Sequence, residues 1–117
     1  MNRLIEIRSY KLKSGSGARF HDLVSKQSVP LLNEWGMEVV AYGQSLHDPD
    51  SYYLIRAYNN LDHLNSSQEA FYSTDAWRKG PREAIIELIE SDFNAVLWLT
   101  PEAIEAIHNS EGQGQSA

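Results

Sequence analysis

Side chains in the segment 51–58 alternate in type, and this alternation predicts a β-strand with two different faces. The segment is rich in aromatic and β-branched residues, and turn-forming residues flank it on both sides. Tyr53, Ile55 and Ala57 would share one face, which we expect to lie against the hydrophobic core. The opposite face places an arginine among aromatic and aliphatic side chains, and it consists of Tyr52, Leu54, Arg56 and Tyr58. We therefore expect the second face to carry the function.

Three further segments show the alternation that is typical of strands. They are residues 4–12, 37–45 and 93–99. A short loop with a proline separates the second of these segments from the strand at 51–58, which indicates that the two strands form a hairpin.

Two helical regions lie between these strands. Apolar residues recur at three and four positions over residues 20–35, which predicts a helix that Pro30 interrupts and Gly36 ends. The second region begins near Leu61 after an asparagine cap, and it breaks near residues 73–75.

The resulting order, β-α-β-β-α-β, is the ferredoxin-like plan of an α+β fold. It predicts a four-stranded antiparallel sheet with both helical regions on one face. Residues 1–100 would form this domain and residues 101–109 a short C-terminal helix. Residues 110–117 lack large apolar side chains, and we expect them to form a disordered tail.

The sheet face that carries no helices would then be large and aromatic. We assign to it Glu6, Arg8, Tyr10, Val40, Tyr42, Tyr52, Leu54, Arg56, Tyr58, Val96 and Trp98. An apolar patch of more than a few hundred Å² on a monomer is usually an interface. Because two-fold symmetry lets one surface serve both partners, we expect a homodimer through the sheet face, which makes a dimeric α+β barrel.

Composition narrows the class of protein. The 117 residues carry a net charge of −6, which argues against nucleic acid or a membrane surface as a partner. There is no cysteine, and the histidines lack the spacing of a metal site, so we expect no metal. A phosphate-binding glycine loop is absent too, and we expect no cofactor. No apolar run is long enough to span a bilayer and no signal-peptide pattern begins the chain, so we expect a cytoplasmic protein.

Several stretches together resemble NIPSNAP-type domains. They are residues 5–12, Pro30-Leu31-Leu32 followed by Gly36, residues 53–58, and the block from Phe71 to Ile85, which reads FYSTDAWRKGPREAI. The resemblance extends over residues 4–99 and implies the dimeric α+β barrel without implying a reaction. Kinship of this fold with cofactor-free monooxygenases is an analogy between folds.

Charged residues on the predicted bare face form a first candidate site. Arg8 and Arg56 would bind a carboxylate or another anion, with Glu6 orienting one guanidinium. Alternatively, and this is the interpretation that we favour, a Glu–Arg ion pair satisfies itself at the dimer interface. Hydroxyl groups would line the same surface as a pocket or as part of that interface, and they belong to Tyr10, Tyr42, Tyr52 and Tyr58.

A second candidate site involves the first helix and the block around Trp77. His21 is a candidate general base if a pocket opens between helix and sheet, although a surface or half-buried histidine is the favoured interpretation. Arg82 would receive an anion at a helix start, or would pair with a nearby acid. A ligand that enters there would meet four side chains together, namely Trp77, Arg82, Tyr53 and His21. Of these, His21 and Tyr53 are the candidates for catalysis.

Two functions remain open at this point. The first is a NIPSNAP-like homodimer of unassigned activity that binds a small anionic or aromatic metabolite. The alternative is a cofactor-independent monooxygenase or isomerase, in which Tyr, His and Arg side chains transfer protons and stabilise charge. An enzyme requires a water-excluding cavity with a base beside it, whereas an assembly module would fill its interior with side chains.

Overall fold

Four strands form one antiparallel sheet in the computed structural model, which describes residues 1–116 and the side chains of residues 1–110. The strands are β1 (Arg3–Leu12), β2 (Glu38–Gln44), β3 (Ser51–Tyr58) and β4 (Ile89–Leu99). Their order across the sheet is β2-β3-β1-β4, with every neighbouring pair antiparallel. The predicted ferredoxin-like α+β fold is therefore confirmed.

Helices connect the strands and follow the last one. They are α1 (Gly17–Leu23), α2 (Val29–Trp35), α3 (Leu61–Tyr72), α4 (Asp75–Arg78), α5 (Arg82–Glu87) and α6 (Pro101–Ser116). Strand β4 begins four residues earlier than the sequence pattern predicts. Helix α6 extends beyond the predicted residues 101–109, but the side chains of residues 111–117 lie outside the described part of the chain. The disordered tail at 110–117 stays a prediction.

A π-helical turn, Val24–Ser28, joins α1 to α2. It ends two residues before Pro30, which has no amide hydrogen to donate to the preceding turn. The interruption that the proline predicts is thus present and takes the form of a wider turn. Gly36 ends α2 with a positive φ of 100°, as expected of a glycine after the last helical residue.

The loop between β2 and β3 is bonded to the turn that leads into α1. The Asp50 carboxylate accepts hydrogen bonds from the backbone N–H groups of Gly15 (2.8 Å) and Gly17 (2.9 Å). A Cβ atom at Gly17 would collide with the backbone carbonyl of Pro49, so the close approach of the two segments requires glycine there. These bonds fix the predicted β2–β3 hairpin against the start of α1.

The prediction of which sheet face lies bare is wrong. Tyr52, Leu54, Arg56 and Tyr58 are buried, and they lie beneath the helices together with Glu6. Arg8, Tyr10 and Tyr42 are half-buried on that same side, whereas Val40 is buried on the other side. The alternation groups the residues of β1 and β3 correctly, but the helices pack on the group that contains the arginine. They do so because Glu6 lies directly opposite Arg56 in the β1–β3 register and neutralises it.

The opposite face, which we call the outer face, presents Ile5, Ile7, Ile55, Ala57 and Leu97. Helix α6 covers its β2 end, where Ile104 packs on Val40, Ala41 and Ala57. Towards β4 the outer face is open, and Phe93 is 80% exposed and Leu97 39% exposed. Within the described residues no helix has the length and apolar character needed to cross a membrane.

Candidate functional site

A small cavity lies between the sheet and the helices. Its volume is about 30 Å³, which is room for one or two water molecules. Aromatic rings form most of the wall, and they belong to Tyr10, Phe20, Tyr52, Phe71, Tyr72 and Trp77. Edge-to-face and tilted contacts hold several of these rings, with centroids 4.9 Å apart for Phe20 and Tyr52 and 5.3 Å for Tyr72 and Trp77. The cavity therefore offers an apolar environment to a planar group.

Hydroxyl-bearing residues add polar character to this wall, among them Ser28 and Tyr10. Ser28 is 6% exposed, and its buried Oγ has no hydrogen-bond partner among the described residues. The π-helical turn ends at this serine, and such turns recur at functional sites. Burial raises the pKa of the Tyr10 phenol to about 12, although the nearby Arg8 guanidinium opposes this rise. Tyr10 is therefore a neutral hydrogen-bond donor at physiological pH.

A buried ion pair adjoins the cavity. Both Glu6 and Arg56 are 0% exposed. Arg56 Nε donates a hydrogen bond of 2.9 Å to Glu6 Oε1, and Arg56 Nη2 lies 2.7 Å from the same oxygen in ion-pair contact. The other carboxylate oxygen accepts from Gln68 Nε2 and Asn94 Nδ2, both at 2.8 Å. Arg56 Nη1 donates to the Tyr72 hydroxyl at 2.8 Å, which links the ion pair to the cavity wall.

These contacts determine the ionisation of Glu6. Burial would raise the pKa of its carboxyl group, but Arg56, the two amide donors and Arg8 together hold the pKa below the ordinary value of 4.5. Glu6 is ionised and fully hydrogen bonded, so it is a structural acceptor. A carboxylate in this state is a poor candidate for a general base.

We expect the stabilising effect of Glu6 to be lost in acid. Because the pKa is lower in the folded protein than in the unfolded chain, the unfolded chain binds more protons as the pH falls. The difference in free energy of unfolding between wild type and Glu6→Gln should have its full value above about pH 5 and should become smaller below about pH 4. Urea unfolding followed by tryptophan fluorescence from pH 3 to pH 7 measures it. A difference that stays constant, or widens in acid, would contradict this account.

Arg8 is the least satisfied cation near the cavity. Its side chain is 24% exposed, and its only ion pair among the described residues is a loose contact of 3.9 Å with Asp92. Arg8 Nε is buried and has no hydrogen-bond partner among the described residues. Burial would lower the pKa of this guanidinium, but Tyr10, Tyr72 and Glu6 raise it above its ordinary value. Arg8 thus keeps its charge and has unused capacity to bind an anion.

The structure separates the predicted arginine pair. Arg56 is committed to Glu6 and Tyr72, so the favoured Glu–Arg ion pair is present, but it lies under the helices and not on a bare sheet face. Arg8 alone retains the features of an anion-binding group. Tyr58 is also engaged, because its hydroxyl accepts from Gln68 Nε2 at 3.2 Å. Burial raises the pKa of the Tyr58 phenol.

The second predicted pocket is wrong as a single site. Trp77 lines the cavity, whereas Arg82 lies in a surface groove with Tyr72 and other residues of the α3–α5 region. His21 and Tyr53 line a third space, a groove at the β2–β3 hairpin that we call the outer groove. Tyr42 belongs to the outer groove too, with its ring 6.1 Å from that of His21. Tyr53 projects from the outer face, because strand alternation places it opposite to Tyr52.

His21 nevertheless contacts the cavity wall. Its Nδ1 lies 2.6 Å from the hydroxyl of Tyr52, which is buried and lines the cavity. The sequence pattern identified His21 as a possible base but offered no partner for it. Among the described residues no cluster of three or more acidic or histidine side chains has the arrangement of a metal site.

Sequence reasoning missed Tyr72 and Ser28. Tyr72 faces the cavity and the Arg82 groove and also bonds Arg56, so three features of the site meet at this residue. Its position in the distinctive block 71–85 was the available signal. Ser28 gave a weaker signal, namely a small polar residue two positions before a proline inside a helical pattern.

Comparisons with known proteins agree with the geometry. The sequence model of the NIPSNAP family matches residues 5–103. A search of curated proteins finds no match. An uncharacterized NIPSNAP domain protein from Burkholderia xenovorans has a crystal structure with a TM-score of 0.74 and 15% identity, over 84% of this chain and 95% of that chain. The crystal structure of a NIPSNAP family protein of unknown function from Agrobacterium tumefaciens has a TM-score of 0.75 and 24% identity, over 84% of this chain and 88% of that chain.

A third solved structure extends the likeness beyond this family. A putative antibiotic biosynthesis monooxygenase from Nitrosomonas europaea has a TM-score of 0.62 and 17% identity, over 80% of this chain and 95% of that chain. At this level of identity the likeness concerns the fold alone.

Proposed function

This chain belongs to the NIPSNAP family, and from that premise we propose that it is a homodimer that binds a small aromatic carboxylate between its helices and its sheet. The observation that carries the proposal is an aromatic cavity with an incompletely paired arginine beside it. The ring of the ligand lies among aromatic side chains, and its carboxylate pairs with Arg8.

The aromatic part of the ligand follows from the cavity wall. Phe20, Phe71 and Trp77 contribute only apolar or weakly polar surface, and pockets for small molecules are predominantly of this kind. The Tyr10 phenol and the Ser28 hydroxyl supply the few polar contacts that orient a ligand. A planar ring suits these surroundings better than a flexible polar chain does.

The carboxylate follows from Arg8. A guanidinium binds a carboxylate in a bidentate way, and such charge-assisted bonds are stronger than neutral ones. The existing 3.9 Å contact with Asp92 is too long for a hydrogen bond and leaves these donors free to rearrange. The other arginine of the interior, Arg56, already has its acceptors.

Entry of a ligand requires the cavity to grow, because about 30 Å³ is smaller than an aromatic ring. Helix α4 is the part of the cavity wall that moves outward most easily, since it contains four residues and none of them is buried. Its Trp77 rests on Phe71 and Tyr72 with ring centroids 5.8 and 5.3 Å away. Outward movement of this segment opens the cavity towards the groove that contains Arg82.

The homodimer is supported by the outer face. Strand β4 leaves Phe93 and Leu97 exposed there, beside the half-buried Ile7 and Ile55 of the neighbouring strands. A face of this composition is costly to leave in water, and a second copy covers it by two-fold symmetry. The surface differs from the one that the sequence pattern suggested, but the mode of pairing, sheet against sheet, is the same.

We expect Arg8→Met to remove the preference for acids over neutral analogues. Wild type should bind benzoate, phenylacetate or 3-phenylpropanoate at least about tenfold more tightly than the matching amides, because the amides lose the charge-assisted bond. Isothermal titration calorimetry at constant ionic strength measures both series. Arg19→Met, which removes the same charge from an exposed site on α1, is the control and should leave the preference unchanged. Equal binding of acids and amides by wild type, or an unchanged preference in Arg8→Met, would overturn the proposal.

A second candidate function is cofactor-independent catalysis. The contact between His21 and Tyr52 favours it, because a general base must lie within hydrogen-bond reach of the group whose proton it takes. Proton transfer of the isomerase kind needs no further reactant, unlike the monooxygenase alternative, which requires dioxygen.

A further inference from the structure

Tyr52 separates two spaces in the protein. Tyr52 is buried and lines the helix–sheet cavity, and its hydroxyl lies 2.6 Å from His21 Nδ1. The imidazole is half-buried and lines the outer groove, which opens to solvent beside His47. A short hydrogen bond thus connects the wall of the mainly apolar cavity with an imidazole ring that solvent can reach.

We propose that the Tyr52–His21 pair is a proton relay, and that the protein tautomerises aromatic 2-oxo acids bound in the cavity. This inference rests on the proposed function, because it uses the same cavity and the same anchoring of a carboxylate by Arg8. The substrate class combines three features: a ring for the aromatic wall, a carboxylate for Arg8, and an acidic C–H bond between them, next to a ketone.

The reaction consists of proton transfers only. The C–H bond next to the ketone breaks, its electron pair forms the C=C bond of the enolate, and the carbonyl π electrons move to oxygen. The Tyr52 oxygen accepts this proton while its own proton moves to His21 Nδ1. The imidazolium then releases a proton to water in the outer groove, and the enolate oxygen takes one from solvent, so that the net change is keto to enol.

Two neighbouring groups support the charge changes in this sequence. The Tyr10 phenol, a neutral donor in the cavity wall, hydrogen bonds the developing enolate oxygen, which is the way preorganised donors lower a barrier. The buried Glu6–Arg56 pair adds no competing base, since both oxygens of that carboxylate are occupied.

The test is deuterium exchange at the benzylic carbon of phenylpyruvate in D₂O, followed by proton NMR with catalytic amounts of the full chain. Wild type should accelerate the loss of the benzylic signal over the buffer rate. His21→Gln keeps a side chain that can hydrogen bond to Tyr52 but does not titrate, and it should lower kcat by about 100-fold, in the range for loss of a general base. Its dissociation constant for phenylpyruvate should change less than about twofold, since His21 lies outside the cavity.

Two further variants make the result decisive. Tyr52→Phe removes one oxygen atom and should lower kcat similarly, with circular dichroism used to confirm that the variant is folded. His47→Gln alters the exposed histidine of the outer groove and should leave the rate unchanged. Wild type that binds phenylpyruvate without accelerating exchange, or His21→Gln that retains the wild-type kcat, would overturn the relay and leave the binding proposal intact. Wild type that binds neither phenylpyruvate nor the simpler acids would overturn both.

Discussion

Replacing Arg56 with methionine is expected to lower the free energy of unfolding by about 3–5 kcal/mol, because it leaves the Glu6 carboxylate buried without its counter-charge. Glu6 is 0% exposed and lies opposite Arg56 on the adjacent strand, so water does not replace the guanidinium. The Tyr72 hydroxyl loses its donor at the same time. Equilibrium unfolding in urea, with far-UV circular dichroism and fluorescence as independent probes, measures the change.

The matched control for this prediction is Arg3→Met. The Arg3–Glu38 ion pair has the same 2.7 Å distance as the Arg56–Glu6 contact, but its side chains are 27% and 49% exposed. Its loss should cost between about 0 and 1 kcal/mol. The double variant Glu6→Gln/Arg56→Met should be less destabilised than the sum of the two single changes, since it leaves no unpaired buried charge. Similar costs for Arg3→Met and Arg56→Met would show that burial does not govern the strength of this pair.

The second large effect is expected at the outer face. Replacing both Phe93 and Leu97 with aspartate should raise the dissociation constant of the proposed homodimer by at least about 100-fold, because hot-spot residues contribute about 2 kcal/mol or more each. The two side chains are 80% and 39% exposed in the single chain, so folding of the monomer depends little on them. Sedimentation velocity over a range of concentrations reports the association, and thermal unfolding of the monomer reports the fold.

Leu61→Asp provides the control for the outer face. This residue lies on α3, on the helix side of the sheet, and is 54% exposed. It places a carboxylate at an exposed leucine away from the outer face, and the dimer should tolerate it. A wild-type protein that sediments as a monomer at all concentrations, or a dimer that Leu61→Asp breaks while Phe93→Asp/Leu97→Asp does not, would contradict pairing through this face.

Local signals in the chain were sufficient for the elements and their order. The alternation of β3, the Asn60 side chain that accepts from the backbone N–H of His63, and the left-handed glycine at position 36 all depend on a few consecutive residues. The boundaries of β4 and α5 were less clear. Ile85, Ile86, Leu88 and Ile89 extend an apolar stripe at helical spacing, yet the strand begins at the last of them. Pairing of Ile89 with Leu12 across the sheet decides that boundary, and a distant partner is invisible to a local pattern.

The candidate site depended more strongly on contacts between distant residues. Arg8, Tyr10 and Trp77 were identified from the sequence, and two of them, Tyr10 and Trp77, do line one cavity while Arg8 lies near it. Tyr72 was marked only by its position in the block 71–85, because its role comes from bonding Arg56, which is 16 residues away in sequence. Local sequence patterns also could not show that Trp77 lies apart from His21 and Tyr53, since this separation depends on how far α4 lies from the β2–β3 hairpin.

The sequence by itself determined the ferredoxin-like order of elements, the grouping of residues on β1 and β3 into two faces, and the family. Only the tertiary structure decided which of those faces the helices cover. The physical reason is that alternation specifies relative orientation, whereas burial depends on whether a charge finds its partner. An arginine among aromatic residues marks an exposed face when it stands alone and a buried one when a glutamate 50 positions earlier lies directly across from it.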